Sequence, residues 1–269
     1  MTRLFAALWL VSNLAAGMAW AQPFPFNEMG VTMGHWHLNS HDVEANKKIF
    51  AGMGGIAMKP GDFDIVQFPG LIVNLHLRPG NPPSTGPTEG TVINHVGFIV
   101  QNVQESVARW KAAGVPVLPG NNNRLDQAYV VTPDGLRVEI LEDKTQKYPI
   151  QHEHVHFFLP ESALAESQAW YVKHFGAKPG TRNNALVADL PGVQLRFAKT
   201  DKPLITTKGR ILDHIGFDVK DLLAFIKKLE ADGIKLSRPY LKNELTGDAL
   251  AFITDPWGVY IELNERRPR

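Results

Sequence analysis

Residues 94–98 have the sequence Asn-His-Val-Gly-Phe, and residues 213–217 repeat this motif as Asp-His-Ile-Gly-Phe. The offset between the two copies is 119 positions (213 minus 94). Further towards the N-terminus, residues 35–38 (His-Trp-His-Leu) recur at the same offset as residues 154–157 (His-Val-His-Phe). Separate blocks that share one offset indicate an internal duplication of the chain.

Each half of the duplication divides again into two similar units. A last block, Gly-Leu-Arg-Val-Glu-Ile at 135–140, recurs at 258–263 as Gly-Val-Tyr-Ile-Glu-Leu. In every unit a strand pattern that opens with histidine precedes an amphipathic helix pattern and then alternating strands separated by turn residues. The four units begin near His35, His95, His154 and His214. The sequence therefore predicts an α+β fold of four βαβββ modules, two in each domain.

The first 21 residues have the organisation of a secretory signal peptide. Arg3 supplies a positive charge, residues 4–18 are mostly apolar, and an Ala-Trp-Ala cleavage motif precedes Gln22. The alternative is an N-terminal membrane anchor, for which the apolar stretch is short of the ~20 residues that a membrane span needs. We therefore expect an exported protein, periplasmic or secreted.

Length and composition bound the domains and partners. We expect the first domain at 22–145 and the second at 150–269, each long enough to bury its own core. The net charge of +1 and the lack of basic runs argue against nucleic acid as a partner. After the N-terminal segment the sequence has no further long apolar run, so we expect no other membrane span. The expected partner is a small-molecule substrate, and a homodimer is left open. The chain has no cysteine, which excludes disulfides, zinc–thiolate sites and a cysteine nucleophile.

Two histidines and one glutamate recur in register and form the candidate metal ligands. We group His35, His95 and Glu139 as the first expected site, since side chains on one face of a curved sheet converge. The repeat gives a second set, which consists of His154, His214 and Glu262. Two imidazoles and a carboxylate suit Fe(II), Mn(II), Zn(II) or Ni(II) and leave coordination positions open for substrate or water.

Further residues near these ligands suggest supporting roles. Gly97 and Gly216 lie two positions after a candidate ligand, where glycine removes bulk on the same face of the strand. In the first and third modules that position is occupied by His37 and His156. These two histidines are candidates for alternate ligands, partners of the ligands or acid–base groups.

The module pattern resembles the vicinal oxygen chelate superfamily. The pattern is a strand that opens with histidine, a later Asp-Gly or Asp-Pro-x-Gly turn, and a glutamate on the next strand. That superfamily includes glyoxalase I, extradiol ring-cleavage dioxygenases, fosfomycin-resistance enzymes and bleomycin-binding proteins. The resemblance spans about residues 33–264 and implies two tandem domains of this family with a divalent metal. It does not specify the reaction, because one fold carries many chemistries.

The fourth ligand of the family has no acidic counterpart in this chain. The alignment of Gly70 with Gly135 places Asn74 at that position, and His76 follows on the same face as a reserve ligand or base. In the second domain Arg196 takes this place, where it would repel a cation, pair with Glu262 or hold an anionic substrate. A plain structural ion pair is the alternative for Arg196. We assign Asn74 and Arg196 provisionally to the substrate.

The extradiol dioxygenase signature is incomplete. Tyr129 stands before the Pro-Asp-Gly turn, as in that class, but asparagines at 121–123 occupy the place of its histidine, and Phe252 replaces the tyrosine in the second half. We retain Tyr129, His37, His76 and His156 as candidate catalytic residues.

Three functions remain open from the sequence. The first is a divalent-metal-dependent isomerase, lyase or dioxygenase that chelates a small oxygen-bearing substrate. The second is a non-catalytic protein that sequesters a small molecule, as bleomycin-resistance proteins do. The third is a duplicated scaffold in which only one half keeps an active site.

Overall fold

A computed structural model describes residues 24–75 and 84–266 of the chain. The predicted signal peptide and His76 lie outside the described residues. The expected βαβββ order is confirmed in all four modules. Module 1 comprises β1 (Val31–Leu38), α1 (Val43–Gly52), β2 (Ile56–Met58), β3 (Ile65–Phe68) and β4 (Leu71–Asn74). Module 2 comprises β5 (Ile93–Val100), α2 (Val103–Ala112), β6 (Val117–Pro119), β7 (Gln127–Val131) and β8 (Arg137–Glu142).

The second half repeats this order. Module 3 comprises β9 (Ile150–Leu159), α3 (Leu164–Phe175), β10 (Lys178–Arg182), β11 (Ala185–Leu190) and β12 (Val193–Lys199). Module 4 comprises β13 (Leu212–Val219), α4 (Leu222–Ala231), β14 (Leu236–Lys242), β15 (Ala249–Thr254) and β16 (Tyr260–Glu265). Short 3₁₀ turns lie at Asn121–Asn123 and Glu161–Ala163.

The strands form two eight-stranded mixed sheets, and each sheet draws on both halves of the sequence. Sheet I has the order β10-β11-β12-β9-β5-β8-β7-β6 and joins modules 2 and 3. Sheet II has the order β14-β15-β16-β13-β1-β4-β3-β2 and joins modules 1 and 4. The antiparallel pairs β5–β9 and β1–β13 make these junctions. The sheets therefore do not follow the division at 145–150 that the repeat suggests.

Local sequence signals fix where the helices start and stop. Three helices begin after an Asp or Asn whose side chain accepts a hydrogen bond from the third helical backbone N–H, a standard N-cap. These caps are Asp42, Asn102 and Asp221. The helix α3 ends at Gly176, whose φ of 67° is left-handed and favours glycine.

The two sheets pack against each other through the faces that do not carry the candidate ligands. Trp36 of sheet II is fully buried, with its ring 5.3 Å from Phe98 and 4.8 Å from His152 of sheet I, centroid to centroid. On the other side of the core, Phe175 of α3 lies 5.0 Å from Phe217 of β13. Because strand side chains alternate between faces, this shared core leaves the opposite face of each sheet for the histidines. In the part of the chain that is described, no helix is long and apolar enough to cross a bilayer.

Candidate metal centres

Two clusters of metal-ligating side chains lie one on each sheet. Site I consists of His95, Glu139, His154 and His156, and site II of His35, His214 and Glu262. In each cluster the candidate donor atoms lie within 4.8 Å of one another. All six predicted ligands therefore belong to a cluster, but their expected grouping was wrong. His35 joins the second-half ligands and His154 joins the first-half ligands, because the sheets pair modules 1 with 4 and 2 with 3.

In site I three donor atoms surround a space of the size that a metal ion needs. Glu139 Oε2 lies 3.2 Å from His154 Nε2 and 3.5 Å from His95 Nε2. Ligands about 2.1 Å from a metal at angles of 90–110° would be about 3.0–3.4 Å apart. All three side chains are buried. The distances in site I are therefore close to those of a metal-bound triad.

The other carboxylate oxygen of Glu139 is held by its neighbours on β7. Tyr129 donates its hydroxyl proton to Glu139 Oε1 at 3.0 Å, and Gln127 donates an amide N–H to the same oxygen. The tyrosine hydroxyl in turn accepts from Asn121 Nδ2 at 2.9 Å. With Oε1 occupied, Oε2 faces the two imidazoles. Ligand carboxylates at metal sites are commonly oriented in this way.

A β-bulge precedes each of the four ligand histidines. The register of β5 with β9 shifts between Ile93 and His95 and again after Gly97, and β1 and β13 show two corresponding shifts. The extra residues at these shifts are Gly34, Asn94, Glu153 and Asp213. A bulge re-aims side chains locally, which allows a residue to reach the ring that follows it in sequence.

Three of these bulge residues fix the proton of the following imidazole. His95 Nδ1 donates to Asn94 Oδ1 at 2.9 Å, and His154 Nδ1 donates to Glu153 Oε2 at 2.5 Å. In site II, His214 Nδ1 donates to Asp213 Oδ1 at 2.6 Å. A proton held on Nδ1 leaves the lone pair of Nε2 free for a metal. The partners of Nδ1 thus favour the tautomer with an unprotonated Nε2 in both imidazoles of the site I triad, and His95 Nε2 accepts from His156 Nδ1 at 3.0 Å.

Site II departs from this arrangement at His35. Its bulge residue is Gly34, which has no side chain, and a β-carbon there would lie 2.7 Å from Asp218 Oδ1. Asp218 pairs with Arg266, whose Nη2 donates to His35 Nδ1 at 3.2 Å. A guanidinium can only donate, so His35 carries its proton on Nε2, the atom that would bind the metal. Neutral His35 in this tautomer must move its Nε2 proton before that nitrogen can bind a metal.

The carboxylate of site II is also engaged directly. Glu262 Oε2 lies 2.7 Å from His214 Nε2, a hydrogen-bond distance, and 3.5 Å from His35 Nε2. Burial alone would lower the pKa of His214, but hydrogen bonds to Asp213 and Glu262 outweigh it and raise the pKa above its usual value. Asp213 and Glu262 thus engage both ring nitrogens of His214, whereas His35 Nε2 is buried and has no hydrogen-bond partner among the described residues.

Two glycines make room for the ligand imidazoles, although in a different way from the one expected. A β-carbon at Gly97 would lie 2.0 Å from the ring of His154, and one at Gly216 would lie 1.9 Å from the ring of His35. Each glycine pairs across the module junction with the histidine that it accommodates. Gly97 therefore accommodates the histidine of the partner module and not the one two residues before it.

Charges in site I also favour a cation. Burial alone would raise the pKa of Glu139, but its close contacts with His154 and His95 hold it well below its usual range. Burial lowers the pKa of His95, although its contact with Glu139 partly opposes this shift. A carboxylate beside neutral imidazoles is the ionisation state that binds a divalent ion. The donor set, the distances, the tautomers and the glycine cradle all fit such an ion.

The predicted catalytic residues that the structure describes are divided between the two sites. His156 belongs to site I, where its Nδ1 lies 3.0 Å from His95 Nε2. Tyr129 contacts the metal-ligand candidate Glu139, and asparagine at 121 takes the place of the dioxygenase histidine beside it. His37 lies at site II, stacked on His214 with ring centroids 4.6 Å apart.

The two residues assigned to the fourth ligand position lie beside the sites. Asn74 on β4 pairs with His37 in sheet II, and Arg196 on β12 pairs with His156 in sheet I. The guanidinium of Arg196 pairs with Glu153, and its Nε donates to Gln194 Oε1 at 2.9 Å. The suggested partner Glu262 was wrong, because Arg196 and Glu262 lie on different sheets.

Sequence reasoning missed the residues that orient the ligands. Asn94, Glu153 and Asp213 each stand directly before a ligand histidine, which is a signal visible in the sequence. Strand alternation hides their role, because neighbouring side chains in a regular strand point to opposite faces. Gln127 gave no signal, since its contact with Glu139 depends on the pairing of β7 with β8.

Comparisons with known proteins give one family-model match and several solved structures with a similar fold. Residues 153–263 match the model of the Glyoxalase/Bleomycin resistance protein/Dioxygenase superfamily. This match covers the second half of the chain and agrees with the resemblance to the vicinal oxygen chelate superfamily that the sequence predicts. Members of this superfamily generally use a divalent metal, and the present chain has candidate ligand clusters for one. A search of curated proteins gives no match.

Two solved structures share the fold of this chain at low sequence identity. Glyoxalase I from Zea mays is 15% identical with a TM-score of 0.66, over 87% of this chain and 92% of that one. A proposed dioxygenase from Bacillus subtilis is 15% identical with a TM-score of 0.64, over 90% of this chain and 87% of that one. At this identity the similarity establishes the tandem α+β fold alone.

Proposed function

We propose that the protein is a divalent-metal-dependent enzyme of glyoxalase-like or dioxygenase-like type. Site I is its active site, and the substrate is a small molecule that presents two adjacent oxygens to the metal. The observation that carries this proposal is the convergence of Glu139 Oε2 with two imidazole nitrogens, each freed by a proton held on Nδ1.

The residues of site I have three proposed roles: metal ligand, ligand-orienting group and acid–base group. His95, His154 and Glu139 hold the ion, which would polarise substrate oxygens and stabilise the negative charge that develops on them. Tyr129 orients the carboxylate through its hydroxyl. His156 is the candidate acid–base group, since its half-buried ring lies beside the triad with Nδ1 3.0 Å from His95 Nε2.

In this proposal site II stabilises the fold. The Arg266–His35 contact and the His214–Glu262 hydrogen bond use the groups that a metal would need. This favours the scaffold hypothesis for one of the two sites. The site without a metal would then be site II on sheet II, which contains modules from both halves of the chain.

Metal counting on matched glutamate variants tests the proposal. We expect one Fe, Mn, Zn or Ni ion per wild-type chain by elemental analysis, none with Glu139→Ala, and one with Glu262→Ala. The proposal is contradicted if wild-type protein holds no metal after purification and reconstitution, or if only Glu262→Ala loses it.

The loaded protein then separates the reaction classes. Oxygen uptake with an iron-loaded chain would indicate a dioxygenase, whereas turnover with zinc or nickel in anaerobic buffer would indicate glyoxalase-like chemistry. A chain that binds small molecules equally well with and without metal would instead support a sequestration protein.

A further inference from the structure

A cavity of about 450 Å³ adjoins site I on the same face of sheet I. It is lined by residues of β6, β7, β8 and the preceding loops, among them Leu118, Tyr129, Val131 and Arg137. Tyr129 pairs with Glu139 and with Leu118 across its two neighbouring strands, and Val131 pairs with Arg137. Paired residues share a face of a sheet, as do residues two apart on one strand. The cavity wall and the metal ligand Glu139 therefore form one continuous surface.

Arg137 is the cationic group of this cavity. It lies two residues before Glu139 on β8, which separates their Cα atoms by about 7 Å along the strand. Its guanidinium carbon stands 4.2 Å from the centroid of the Tyr129 ring. Its Nε is buried and has no hydrogen-bond partner among residues 24–75 and 84–266. An unsatisfied buried donor on an arginine is costly, and an anionic ligand would satisfy it.

The rest of the lining suits a small organic anion. Pro87, Leu118, Pro119 and Val131 supply apolar walls. Glu89 also lines the cavity, but it is exposed at the rim, and within the described ranges it makes no ion pair with Arg137 shorter than 4.0 Å. A ligand with an apolar body and one negative end matches this distribution of groups.

Sheet II lacks this arrangement at the equivalent positions. Phe252 pairs with Glu262 as Tyr129 does with Glu139, and Tyr260 occupies the position of Arg137. The two rings stack with centroids 4.8 Å apart and a tilt of 19°, and both lie within 6 Å of the His214 ring. An aromatic side chain thus takes the place of Arg137 on the strand beside site II, and the nearby cations Lys208 and Arg238 come from other elements and lie over the two rings.

We propose that the substrate of site I carries an anionic group, of the carboxylate class, which Arg137 binds at the end of the molecule remote from the metal. This inference rests on the proposed function, because it takes the metal of site I as the anchor for the other end. The anionic group would lie about 7 Å from the chelating oxygens, the length of two residues along a strand. Arg137 is therefore a specificity-determining residue.

Binding of a matched pair of probes to zinc-loaded protein tests this inference. The probes are 3,4-dihydroxybenzoate and 3,4-dihydroxybenzamide, which chelate a metal alike and differ in one negative charge. We expect calorimetry to show that wild type binds the benzoate about 10–100-fold more tightly. Arg137→Gln should reduce this preference to within about threefold while the zinc content stays unchanged. Arg238→Gln is the control, since Arg238 lies over the Phe252 ring of sheet II at 5.6 Å.

The outcomes separate this inference from the proposed function. If wild type holds zinc but binds both probes equally, or binds neither, or if Arg137→Gln keeps the preference, the inference is overturned and the metal site stands. If wild type holds none of Fe, Mn, Zn and Ni after reconstitution, the proposed function fails, and the same probe pair is titrated into the metal-free chain. A benzoate preference there that depends on Arg137 supports an anion site, and its absence overturns it.

Discussion

At the scale of single residues, the two sites differ in how their ligand groups are held. Site I has a hydroxyl and an amide on one oxygen of Glu139, which leaves the other oxygen for a cation. Site II has Phe252 in place of Tyr129, and an aromatic ring has no such hydroxyl to offer. If site I holds the metal as proposed, the difference between the two sites depends on groups that do not touch the ion.

The Tyr129→Phe variant tests this role. We expect it to weaken metal binding about 10–100-fold, because the carboxylate loses a donor that fixes its orientation. Chelator competition gives the dissociation constant of the metal. Tyr260→Phe, a tyrosine in sheet II, is the matched control and should leave that constant unchanged. Equal metal affinity in Tyr129→Phe and wild type would contradict the assignment.

At the scale of elements, the junction of two modules assembles each site. The antiparallel pairs β5–β9 and β1–β13 bring a glycine of one module against a histidine of the other. Bulges on both strands of each junction turn the residue before the histidine towards its ring. The irregularities of these strands thus contribute as much to the sites as their regular pairing does.

Alanine at the two junction glycines should separate metal binding from stability. Gly97→Ala forces the His154 ring to move, so we expect at least a tenfold loss of metal affinity together with a lower melting temperature. Gly216→Ala displaces His35 and should lower the melting temperature while the metal content stays at wild-type level. Metal analysis and thermal unfolding of both variants check this. Loss of metal from Gly216→Ala alone would reverse the assignment of the two sites.

At the scale of the whole molecule, a buried hydrogen bond connects module 3 with module 4. Tyr171 of α3, which belongs to module 3, donates its hydroxyl proton to Asp255 Oδ2 in module 4 at 2.9 Å. Asp255 also accepts the backbone N–H of Val259 at 2.7 Å, so it fixes the turn before β16. Burial raises the pKa of Asp255 to about 6, although these hydrogen bonds partly oppose it.

The raised pKa of Asp255 gives stability a specific pH dependence. Between the unfolded pKa of 3.8 and the folded pKa of about 6, the folded chain binds more protons, so the free energy of unfolding falls as pH rises through this window. The shift corresponds to roughly 3 kcal/mol. We therefore expect Asp255→Asn to gain about this much relative to wild type between pH 4 and pH 7, as measured by urea unfolding. Parallel stability curves for the two proteins would contradict this.

The sequence by itself determined the modules and the identity of the donors. The repeat predicted four βαβββ units. Strands and helices could be predicted within each unit because their hydrophobic periodicity depends only on residues close in sequence. All six metal-ligand candidates followed from the register of the repeat and lie in the two clusters. These features depend on residue type and spacing, which the sequence contains in full.

Only the tertiary structure decided which donors share a site and which site is suited to a metal. A repeat of similar modules is compatible with pairing inside each half or across the halves, because similar strand edges compete for the same partners. Pairing across the halves placed His154 with His95 and left His35 facing Arg266, 231 positions away. Tautomers and hydrogen bonds depend on such long-range contacts, and no local pattern encodes them.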